Sequence, residues 1–258
     1  VHIATTLVPG SENILVAVID MTKERELERR LFRTEELAAI GELSAGIAHE
    51  IRNPLVAITT SVSLLKDEPE LSSEGRELLE VVKEESDHLA AIVEDFLRFA
   101  RPKKPVLQQE DMGKILKDVV RRCKDRDTKK IGWIEKYDDD IPSVSVDRHQ
   151  MQQVMTNLVL NGIDAMSDNG VIEIGMTRER GVHGEHVKVI VKDSGEGIDP
   201  KELSKIFQPF YSTKEKGTGM GLAICHRIVN DHDGEILVES EVGKGTTFSV
   251  LLPVSQNR

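Results

Sequence analysis

Two long amphipathic segments, separated by a short polar stretch, constrain the fold of this chain more than any other feature. In the first segment, apolar residues recur at intervals of three and four, at Ile47, Ile51, Leu55, Ile58, Val62 and Leu65. At about 100° per residue these positions lie within an arc of about 80° on a helical wheel. The second segment, about 73–100, alternates intervals of three and four at Val82, Glu85, Leu89, Ile92, Phe96 and Phe99. Both patterns predict amphipathic helices, the second with a heptad seam that one acidic residue interrupts.

The polar stretch between the two segments, "KDEPELSS", predicts a turn. Pro69 breaks the first helix, and Ser72 or Ser73 can cap the start of the second. Two helices joined by so short a loop form an antiparallel hairpin. Because a lone hairpin cannot bury so wide an apolar stripe, we expect a homodimer in which two hairpins form a four-helix bundle.

His49 lies on the polar side of the first predicted helix. On the wheel it is about 200° from Ile47, so its imidazole is expected to face solvent. Glu50 is adjacent and Asn53 follows one turn later on the exposed side. An acid beside an imidazole can orient the ring and accept a proton, which makes His49 a candidate nucleophile with Glu50 as its base. The alternative is an ordinary surface histidine.

Pro54 stands inside the first apolar pattern. Because proline has no N–H group, the helical hydrogen bond to the carbonyl of Glu50 is lost. The sequence predicts either a kink one turn after His49 or the end of the helix. The apolar stripe continues to Val62 and Leu65, which favours the kink.

The segment "RPKKP" at 101–105 ends the second helix, and a mixed pattern follows it. Helices are predicted over about 111–124, 147–166 and 220–231, and strands over about 131–137, 143–146, 171–179, 186–192, 235–240 and 246–252. Helices with mostly antiparallel strands predict a two-layer α/β sandwich. Before the hairpin, "HIATTLV" and "ILVAVID" predict two strands, either a self-contained pair or, as we prefer, the end of a larger β-rich domain.

Several polar and glycine-rich segments of the second half are typical of phosphate binding. "VKDSGEGI" places Asp193 at the end of a strand, and "KGTGMGL" places three glycines directly before a helix. Glycine lets the backbone approach a ligand, and a helix N-terminus offers N–H groups to phosphate. Asn157 and Asn161 share one face of the preceding helix. Their amide oxygens suit Mg²⁺, although two surface asparagines are the alternative.

Composition excludes some functions and restricts others. Acidic residues exceed basic ones by 45 to 34, a net charge of −11, which disfavours direct nucleic-acid binding. No run of eighteen apolar residues or signal peptide occurs, so we expect no membrane contact in this segment. Cys123 and Cys225 are isolated from each other and from metal-ligand spacings, which favours packing roles and a cytoplasmic location.

Together these stretches resemble the transmitter of bacterial two-component sensor histidine kinases. "ELSAGIAHEIRNPL" is similar to the phospho-acceptor box, "NLVLNGIDAM" to the N box, "DSGEGI" to the first glycine box and "IFQPFYSTK" to the F box. "GTGMGL" and "GKGTTF" resemble the further glycine boxes, and the order matches over about 35–253. The first strands and "VIDMTKERELERRL" look like the end of a PAS domain that continues into a signalling helix.

The resemblance implies an α+β multidomain protein, in which a helical hairpin that forms a dimeric four-helix bundle precedes a two-layer ATP-binding sandwich. The implied segments are the end of a PAS-like domain (1–21), a signalling helix (22–40), the dimerisation and phosphotransfer hairpin (41–102), a hinge (103–106) and the catalytic ATP-binding domain (107–258).

The resemblance also implies roles for single residues. Asp193 would bind the adenine amino group, Asn161 would hold Mg²⁺ and Asn157 would support the site. Lys214 could reach a phosphate from the start of the lid. The remaining implied nucleotide contacts are Gly195, Gly197, Thr213, Gly217, Thr218, Gly219, Met220, Gly221, Leu222 and Thr246.

The implied activity is autophosphorylation of His49 by ATP, followed by transfer to an aspartate of a response regulator. Asn53 lies where the family positions water for dephosphorylating the regulator, so phosphatase activity is a secondary hypothesis. ATP-hydrolysing relatives carry a glutamate at the position of Asn157, and an amide is no general base. The rival functions are an ATPase clamp, which Asn157 disfavours, and an inactive dimeric interaction module, which the intact boxes disfavour.

Overall fold

The computed structural model describes residues 2–7, 14–19, 51–66, 71–100, 103–181, 184–214 and 217–254. Strands β1 (His2–Leu7) and β2 (Ile14–Ile19) pair in antiparallel fashion, with His2 opposite Ile19. The two strands predicted at the start of the chain are therefore confirmed. The predicted signalling helix, His49 and Glu50 lie outside the described residues.

Two helices form the predicted hairpin. Helix α1 covers residues 51–66 of the described chain, and α2 is Ser73–Ala100. The Ser72 hydroxyl accepts a hydrogen bond from the Gly75 N–H at 3.1 Å, so Ser72 is the residue that caps α2. Helix α1 runs through Pro54 without a break, which excludes the alternative that Pro54 ends the helix. Arg52 Nη2 lies 2.7 Å from Glu94 Oε2 and joins the two helices.

The rest of the described chain forms an α/β sandwich. Its strands are β3 (Gln108–Glu110), β4 (Gly132–Tyr137), β5 (Val144–Val146), β6 (Val171–Gly181), β7 (Gly184–Asp193), β8 (Glu235–Glu241) and β9 (Gly245–Pro253). Five of them form one sheet in the order β4–β6–β7–β9–β8, in which only β4 and β6 are parallel. β3 and β5 form a separate antiparallel pair. The predicted two-layer sandwich with mostly antiparallel strands is confirmed.

Three helices cover one face of the sheet. They are α3 (Met112–Arg126), α4 (Arg148–Ala165) and α5 (Gly221–Asp231). Asp111 and Asp147 accept hydrogen bonds from main-chain N–H groups at the starts of α3 and α4. The core between helices and sheet is apolar and fully enclosed, as shown by Ile115, Met155, Leu158, Ile174 and Val250 among its buried members.

The heptad seam of α2, predicted as one stripe with a single acidic interruption, has different surroundings at its C-terminal end. Phe96 and Phe99 are partly buried against the core of the sandwich, whereas Val82 and Leu89 of the same seam are exposed. The seam thus divides into an exposed part and a part that the sandwich covers. The physical reason is that an aromatic side chain at the end of α2 finds apolar surface on the sandwich of its own chain.

The structure also describes the two cysteines and the apolar character of the helices. Cys123 and Cys225 are buried and form no disulfide, and burial raises the pKa of the Cys225 thiol to about 12. Packing roles therefore describe them better than reactivity. Within the described residues, none of the helices combines the length and apolar character that a membrane span requires.

Candidate functional site

A cavity of about 400 Å³ opens beside α4, between the loops that follow β7 and the start of α5. A cavity of this size falls in the range of small-molecule sites. Most of the residues predicted to contact a nucleotide lie on its wall, although they come from separate parts of the chain. They are Asn157, Asn161, Asp193, Gly197, Thr213, Lys214, Gly217, Thr218, Gly219, Gly221, Leu222 and Thr246.

Asp193 is the buried acid of this wall, with only 4% of its surface exposed. Its Oδ1 accepts hydrogen bonds from the N–H groups of Gly195 at 2.8 Å and Thr246 at 3.2 Å. Burial raises the pKa of Asp193, and these two hydrogen bonds oppose that effect. Since Oδ1 accepts both bonds, Oδ2 keeps acceptor capacity for a ligand in the cavity.

Two glycines of the wall occupy backbone conformations that favour glycine. Gly197 has φ +72°, and a Cβ there would lie 2.2 Å from the carbonyl oxygen of Glu241. Gly219 has φ +66°, and its Cβ would lie 2.5 Å from the carbonyl carbon of Phe210. In both places a main-chain atom occupies the space that a side chain would need. The glycine segments therefore shape the cavity through close backbone packing.

Helix α4 positions Asn157 and Asn161. Asp147 Oδ1 caps its start by accepting from the N–H groups of His149 at 2.9 Å and Gln150 at 3.1 Å. Lys129 Nζ donates to the carbonyl oxygens of Ile163 and Met166 at its end. Side chains therefore form hydrogen bonds to both ends of α4. These bonds fix the helix so that its asparagine face, the side with Asn157 and Asn161, borders the cavity.

His232 joins the start of α4 to the end of α5. It is completely buried, its Nδ1 donates to the carbonyl oxygen of Ile228 at 2.7 Å, and its Nε2 accepts from the Asp147 N–H at 2.9 Å. Asp147 Oδ2 also accepts from the Val106 N–H at 2.9 Å. This chain of hydrogen bonds connects Val106, the cap of α4 and α5.

Residues 212–214 and 217–219, together called the lid from here on, line one side of the cavity. Residues 215 and 216 between them lie outside the described part. Lys214 Nζ lies 3.0 Å from Asp164 Oδ2 on α4, so the lid is joined to the opposite wall by an ion pair. The Thr218 hydroxyl accepts from the Met220 N–H at 3.3 Å, just before α5 begins.

Some predicted residues do not lie on the wall. Gly195 serves the site through its N–H group to Asp193, and Met220 is fully buried in the core as the residue before α5. Asn53 is exposed on α1, away from the cavity wall. His49 and Glu50 lie outside the described residues, so their predicted roles stay predictions.

Sequence reasoning missed several wall residues. Gln153, Leu160 and Asp164 line the cavity from the same face of α4 as the two asparagines, and helical periodicity could have found them. Asp95 and Arg98 reach the wall from α2. No sequence signal indicated those two, because they depend on how α2 packs against the sandwich.

The charges of the wall are mostly negative. Its charged members are two bases and five acids, namely Arg98, Lys214, Asp95, Asp164, Asp193, Glu196 and Glu202. Because acids are in excess, the wall repels a polyphosphate, and an accompanying cation lowers the electrostatic free energy of binding it. The Asn161 side chain is half-buried on the wall and makes no hydrogen bond within the part of the chain that the structure describes. Its amide oxygen is a ligand type that Mg²⁺ accepts, so the donor set fits this ion.

The sandwich, its cavity and the adjoining helical hairpin define a class of protein in which an ATPase-type domain follows a helical phosphotransfer domain. Two family profiles match the chain accordingly. One is the histidine kinase-, DNA gyrase B- and HSP90-like ATPase, over residues 146–256. The other is the His Kinase A (phospho-acceptor) domain, over residues 39–105.

Curated relatives give the same result. Sporulation kinase E of Bacillus subtilis (strain 168) is 36% identical over 250 residues, which is 95% of this chain and 33% of the relative. The signal transduction histidine-protein kinase AtoS of Escherichia coli (strain K12) is 34% identical over 242 residues, 93% of this chain and 39% of the relative. The chain therefore spans only about a third of the length of these relatives.

Solved structures of histidine kinases share the fold. Full-length ShkA in complex with AMPPNP aligns with a TM-score of 0.69 at 27% identity, over 83% of this chain and 46% of that one. ThkA in complex with the response regulator TrrA aligns with a TM-score of 0.64 at 28% identity, over 94% and 69%. The catalytic domain of ThkA, 30% identical, is covered to 99% with a TM-score of 0.52, over 58% of this chain. The chain belongs to the histidine kinase family.

Proposed function

We propose that this chain is the transmitter of a sensor histidine kinase. It binds ATP with Mg²⁺ in the cavity, transfers the γ-phosphoryl group to His49, and then passes that group to an aspartate of a response regulator. Family membership supports this activity, as does the cavity, whose wall contains the predicted nucleotide contacts.

The observation that carries the proposal is the environment of Asp193. Its carboxylate is buried, held in place by two main-chain N–H groups and left with acceptor capacity toward the cavity. An exocyclic amino group such as that of adenine is the matching donor. A site built to accept that hydrogen bond discriminates strongly against bases that lack the donor.

The charges of the wall support a requirement for Mg²⁺. Acids outnumber bases on the wall, and ATP adds further negative charge. Mg²⁺ held by Asn161 would neutralise phosphate charge and orient the γ-phosphoryl group. Lys214 would add a second positive charge if it exchanged Asp164 for a phosphate oxygen.

The proposed transfer exchanges one bond at the γ-phosphorus for another. A ring nitrogen of His49 forms a bond to the γ-phosphorus while the bond from that phosphorus to the bridging oxygen of ADP breaks. Glu50 accepts the proton that the imidazole loses. Asn157 lies on the wall where a carboxylate could otherwise activate water, which favours transfer to histidine over hydrolysis.

The hairpin supports a homodimer. Its exposed apolar residues include Ile58, Leu65, Val82 and Leu89, with 42%, 50%, 43% and 49% of their surfaces exposed. Such a surface on one side of a hairpin fits a second hairpin in a four-helix bundle. The complex of ThkA with its response regulator supports a receiver domain as the other partner.

The remaining predictions complete the proposal. Asn53 is exposed on α1, a position that suits a water-positioning role in dephosphorylating the regulator. The predicted segments 1–21, 22–40, 41–102, 103–106 and 107–258 remain our division of the chain, with the first as the end of a PAS-like domain. A function that uses ATP and a receiver domain belongs in the cytoplasm.

Phosphorylation of the protein itself tests the proposal. With γ-labelled ATP and Mg²⁺, we expect acid-labile, base-stable label on the wild-type chain and none on His49→Ala. Asn161→Ala should lower labelling strongly, because its amide is the predicted Mg²⁺ ligand. A chain that hydrolyses ATP steadily without becoming labelled would instead be an ATPase clamp.

His88→Ala provides the matched control. His88 is a partly buried histidine on α2, the other helix of the same hairpin. Its replacement should leave labelling within about twofold of wild type. Equal labelling of His49→Ala and wild type would mean that another residue accepts the phosphoryl group.

A further inference from the structure

Three amide side chains follow one another along the side of α4 that borders the cavity. Gln153, Asn157 and Asn161 succeed each other at intervals of one helical turn, and all three line the cavity. Because each interval rises about 6 Å along an α-helix, the amides form a row about 12 Å long. This set is called the amide row from here on. The roles predicted for Asn157 and Asn161 leave Gln153 without an assigned function.

The amide row has a base end and a phosphate end. Toward the end of α4, a Cβ added at Gly162 would lie 3.5 Å from Asp193 Oδ2, the oxygen that keeps acceptor capacity for adenine. Toward the start of α4, Asn157 Nδ2 donates to the carbonyl oxygen of Gly221, the first residue of α5, at 3.5 Å. The N–H groups of a helix start favour phosphate. A nucleotide whose base contacts Asp193 therefore extends its phosphates along α4 toward the N-terminus of that helix.

The middle member of the row, Asn157, is already engaged with α5. Besides its hydrogen bond to Gly221, its amide forms a hydrogen bond with the thiol of Cys225, one turn further along α5. Cys225 is completely buried, so this contact lies behind the wall of the cavity. Both contacts join α4 to α5 and leave the Asn157 amide less able to turn toward a ligand.

Gln153 is the member of the row nearest the start of α4, and its amide is free. The residue is partly buried, and its side chain makes no hydrogen bond to any residue that the structure describes. A glutamine amide has two N–H donors and one carbonyl acceptor. These groups are available to a ligand in the cavity, because no other part of the described chain uses them.

The two bases of the wall, in contrast, already face acids. Lys214 Nζ lies 3.0 Å from Asp164 Oδ2, and Arg98 Nε lies 3.5 Å from Glu94 Oε1. Either base must exchange its carboxylate before it can bind a phosphate. Gln153 needs no such exchange, and a hydrogen bond from its neutral amide to a charged phosphate oxygen is stronger than one between neutral groups.

We propose that Gln153 is a catalytic residue whose side-chain N–H group donates a hydrogen bond to an oxygen of the γ-phosphoryl group. It lies one turn beyond Asn157 in the direction in which the phosphates extend, so the terminal phosphate is the part of the ligand nearest to it. The bond orients the γ-phosphoryl group and stabilises its negative charge during transfer.

The contact also distinguishes the substrate from the product. ADP has no γ-phosphoryl group, so Gln153 contributes to the binding of ATP and not to the binding of ADP. A residue that only stabilised α4 would affect both nucleotides alike. The inference rests on the proposed function for the identity of the ligand as ATP.

Nucleotide affinity of the whole chain tests the contact. By calorimetry with Mg²⁺, we expect Gln153→Ala to bind a non-hydrolysable ATP analogue at least about 5-fold more weakly than wild type and to bind ADP within about twofold of wild type. Gln152→Ala is the matched control, because Gln152 is also a partly buried glutamine of α4 but lies about 100° around the helix from Gln153 and is not on the wall. Both of its affinities should match wild type.

The two nucleotides separate the possible outcomes. An equal loss of affinity for the ATP analogue and for ADP in Gln153→Ala would overturn the proposal, because it would show that the residue only supports the fold. An unchanged affinity for the analogue would overturn it as well. Absence of binding of both nucleotides to the wild-type chain would instead overturn the proposed function itself.

The rate of autophosphorylation gives a second readout. At saturating ATP, the initial rate of labelling should fall at least about 10-fold in Gln153→Ala. Gln153→Glu keeps the shape of the side chain but replaces its donors by a negative charge, so its rate should be lower still. A wild-type rate in Gln153→Glu, or a rate that saturating ATP restores in Gln153→Ala, would contradict a catalytic role. Gln152→Ala should be labelled at the wild-type rate.

Discussion

The hairpin and the sandwich bury their apolar residues to different extents. The sandwich encloses its own core, in which residues such as Leu158 and Ile174 have at most 1% of their surface exposed. The hairpin buries Leu55 and Val62 but leaves Ile58 and Leu89 exposed, at 42% and 49% of their surfaces. A two-layer sandwich has enough elements to cover one core, whereas two helices cover only part of a wide apolar stripe.

This difference separates two kinds of stability. The sandwich is stabilised by contacts within the chain, so its unfolding should not depend on protein concentration. The hairpin gains much of its burial only when another surface covers it, so its stability should depend on concentration. Phe96 and Phe99 stand between the two regions, because they belong to the hairpin seam but pack against the sandwich.

The largest expected effect is a cavity in the core of the sandwich. Leu158→Ala removes a buried side chain of α4 and should lower the free energy of unfolding of the sandwich by about 2–5 kcal/mol. Urea titration at two protein concentrations should give the same midpoint at each. Leu237→Ala on β8, where 44% of the side chain is exposed, is the control and should cost less than about 1 kcal/mol. A midpoint that depends on concentration would contradict the distinction between the regions.

A charge on the exposed seam of the hairpin should have the next largest effect. Leu89→Glu places a charge on a surface that the dimer would bury, and should raise the dissociation constant of the dimer at least about 10-fold. Analytical ultracentrifugation measures this change. Ala91→Glu, exposed on the opposite side of α2, should leave the constant unchanged. Equal effects of both substitutions would show that the seam is not the interface.

The pH dependence of nucleotide binding should reflect the protonation of Asp193 in the sandwich. Because burial raises the pKa of Asp193, this carboxylate should become protonated at a higher pH than an ordinary aspartate. Protonation removes the acceptor that the ligand needs, so affinity should fall as pH decreases through that raised pKa, by at most about tenfold per pH unit. Calorimetry between neutral and mildly acidic pH measures the decline.

The same group should act on stability in the opposite sense. A raised carboxyl pKa favours the protonated folded state, so the contribution of Asp193 to the free energy of unfolding is present at low pH and is lost as pH rises through its folded pKa. Asp193→Asn should remove both dependences and weaken nucleotide binding at every pH. Persistence of the full pH dependence of affinity in Asp193→Asn would assign it to another group.

The smallest expected effect concerns the cap of α4. Asp147→Ala removes the acceptor for the N–H groups of His149, Gln150 and Val106, and should lower the free energy of unfolding by about 0.5–2 kcal/mol. Asp111→Ala removes the matching cap of α3 and should cost a similar amount. Only Asp147→Ala should also weaken nucleotide binding, because α4 holds Asn157 and Asn161. Equal binding by both variants would mean that the cap does not position the asparagine face.

The main elements of the fold could be predicted because their periodicities are long and strong. The predicted helix at about 73–100 corresponds to Ser73–Ala100, since a cap and a break enclose it. The strand Gln108–Glu110 was missed, because three residues give no usable alternation. Its pairing with Val144–Val146 depends on contacts more than thirty residues apart in sequence.

The residues of the candidate site likewise include some that a local sequence pattern predicts and others that depend on tertiary packing. Asp193 and the glycines around it were predicted, because each marks a local backbone requirement at the end of a strand or the start of a helix. Asp95 was missed, because nothing within α2 distinguishes it from the other acids of that helix. Its place on the cavity wall follows from the way α2 packs against α5.

The sequence alone determined the amphipathic helices, the glycine loops and the order of the segments that resemble histidine kinases, since these depend on local spacing and residue type. The tertiary structure alone decided that the seam of α2 splits between an exposed part and Phe96 and Phe99, and that Asp95 meets Thr218. Those outcomes depend on which surfaces distant in sequence come together. No local sequence pattern predicts these contacts, because the packing of one element on another depends on all the apolar surfaces of the chain together.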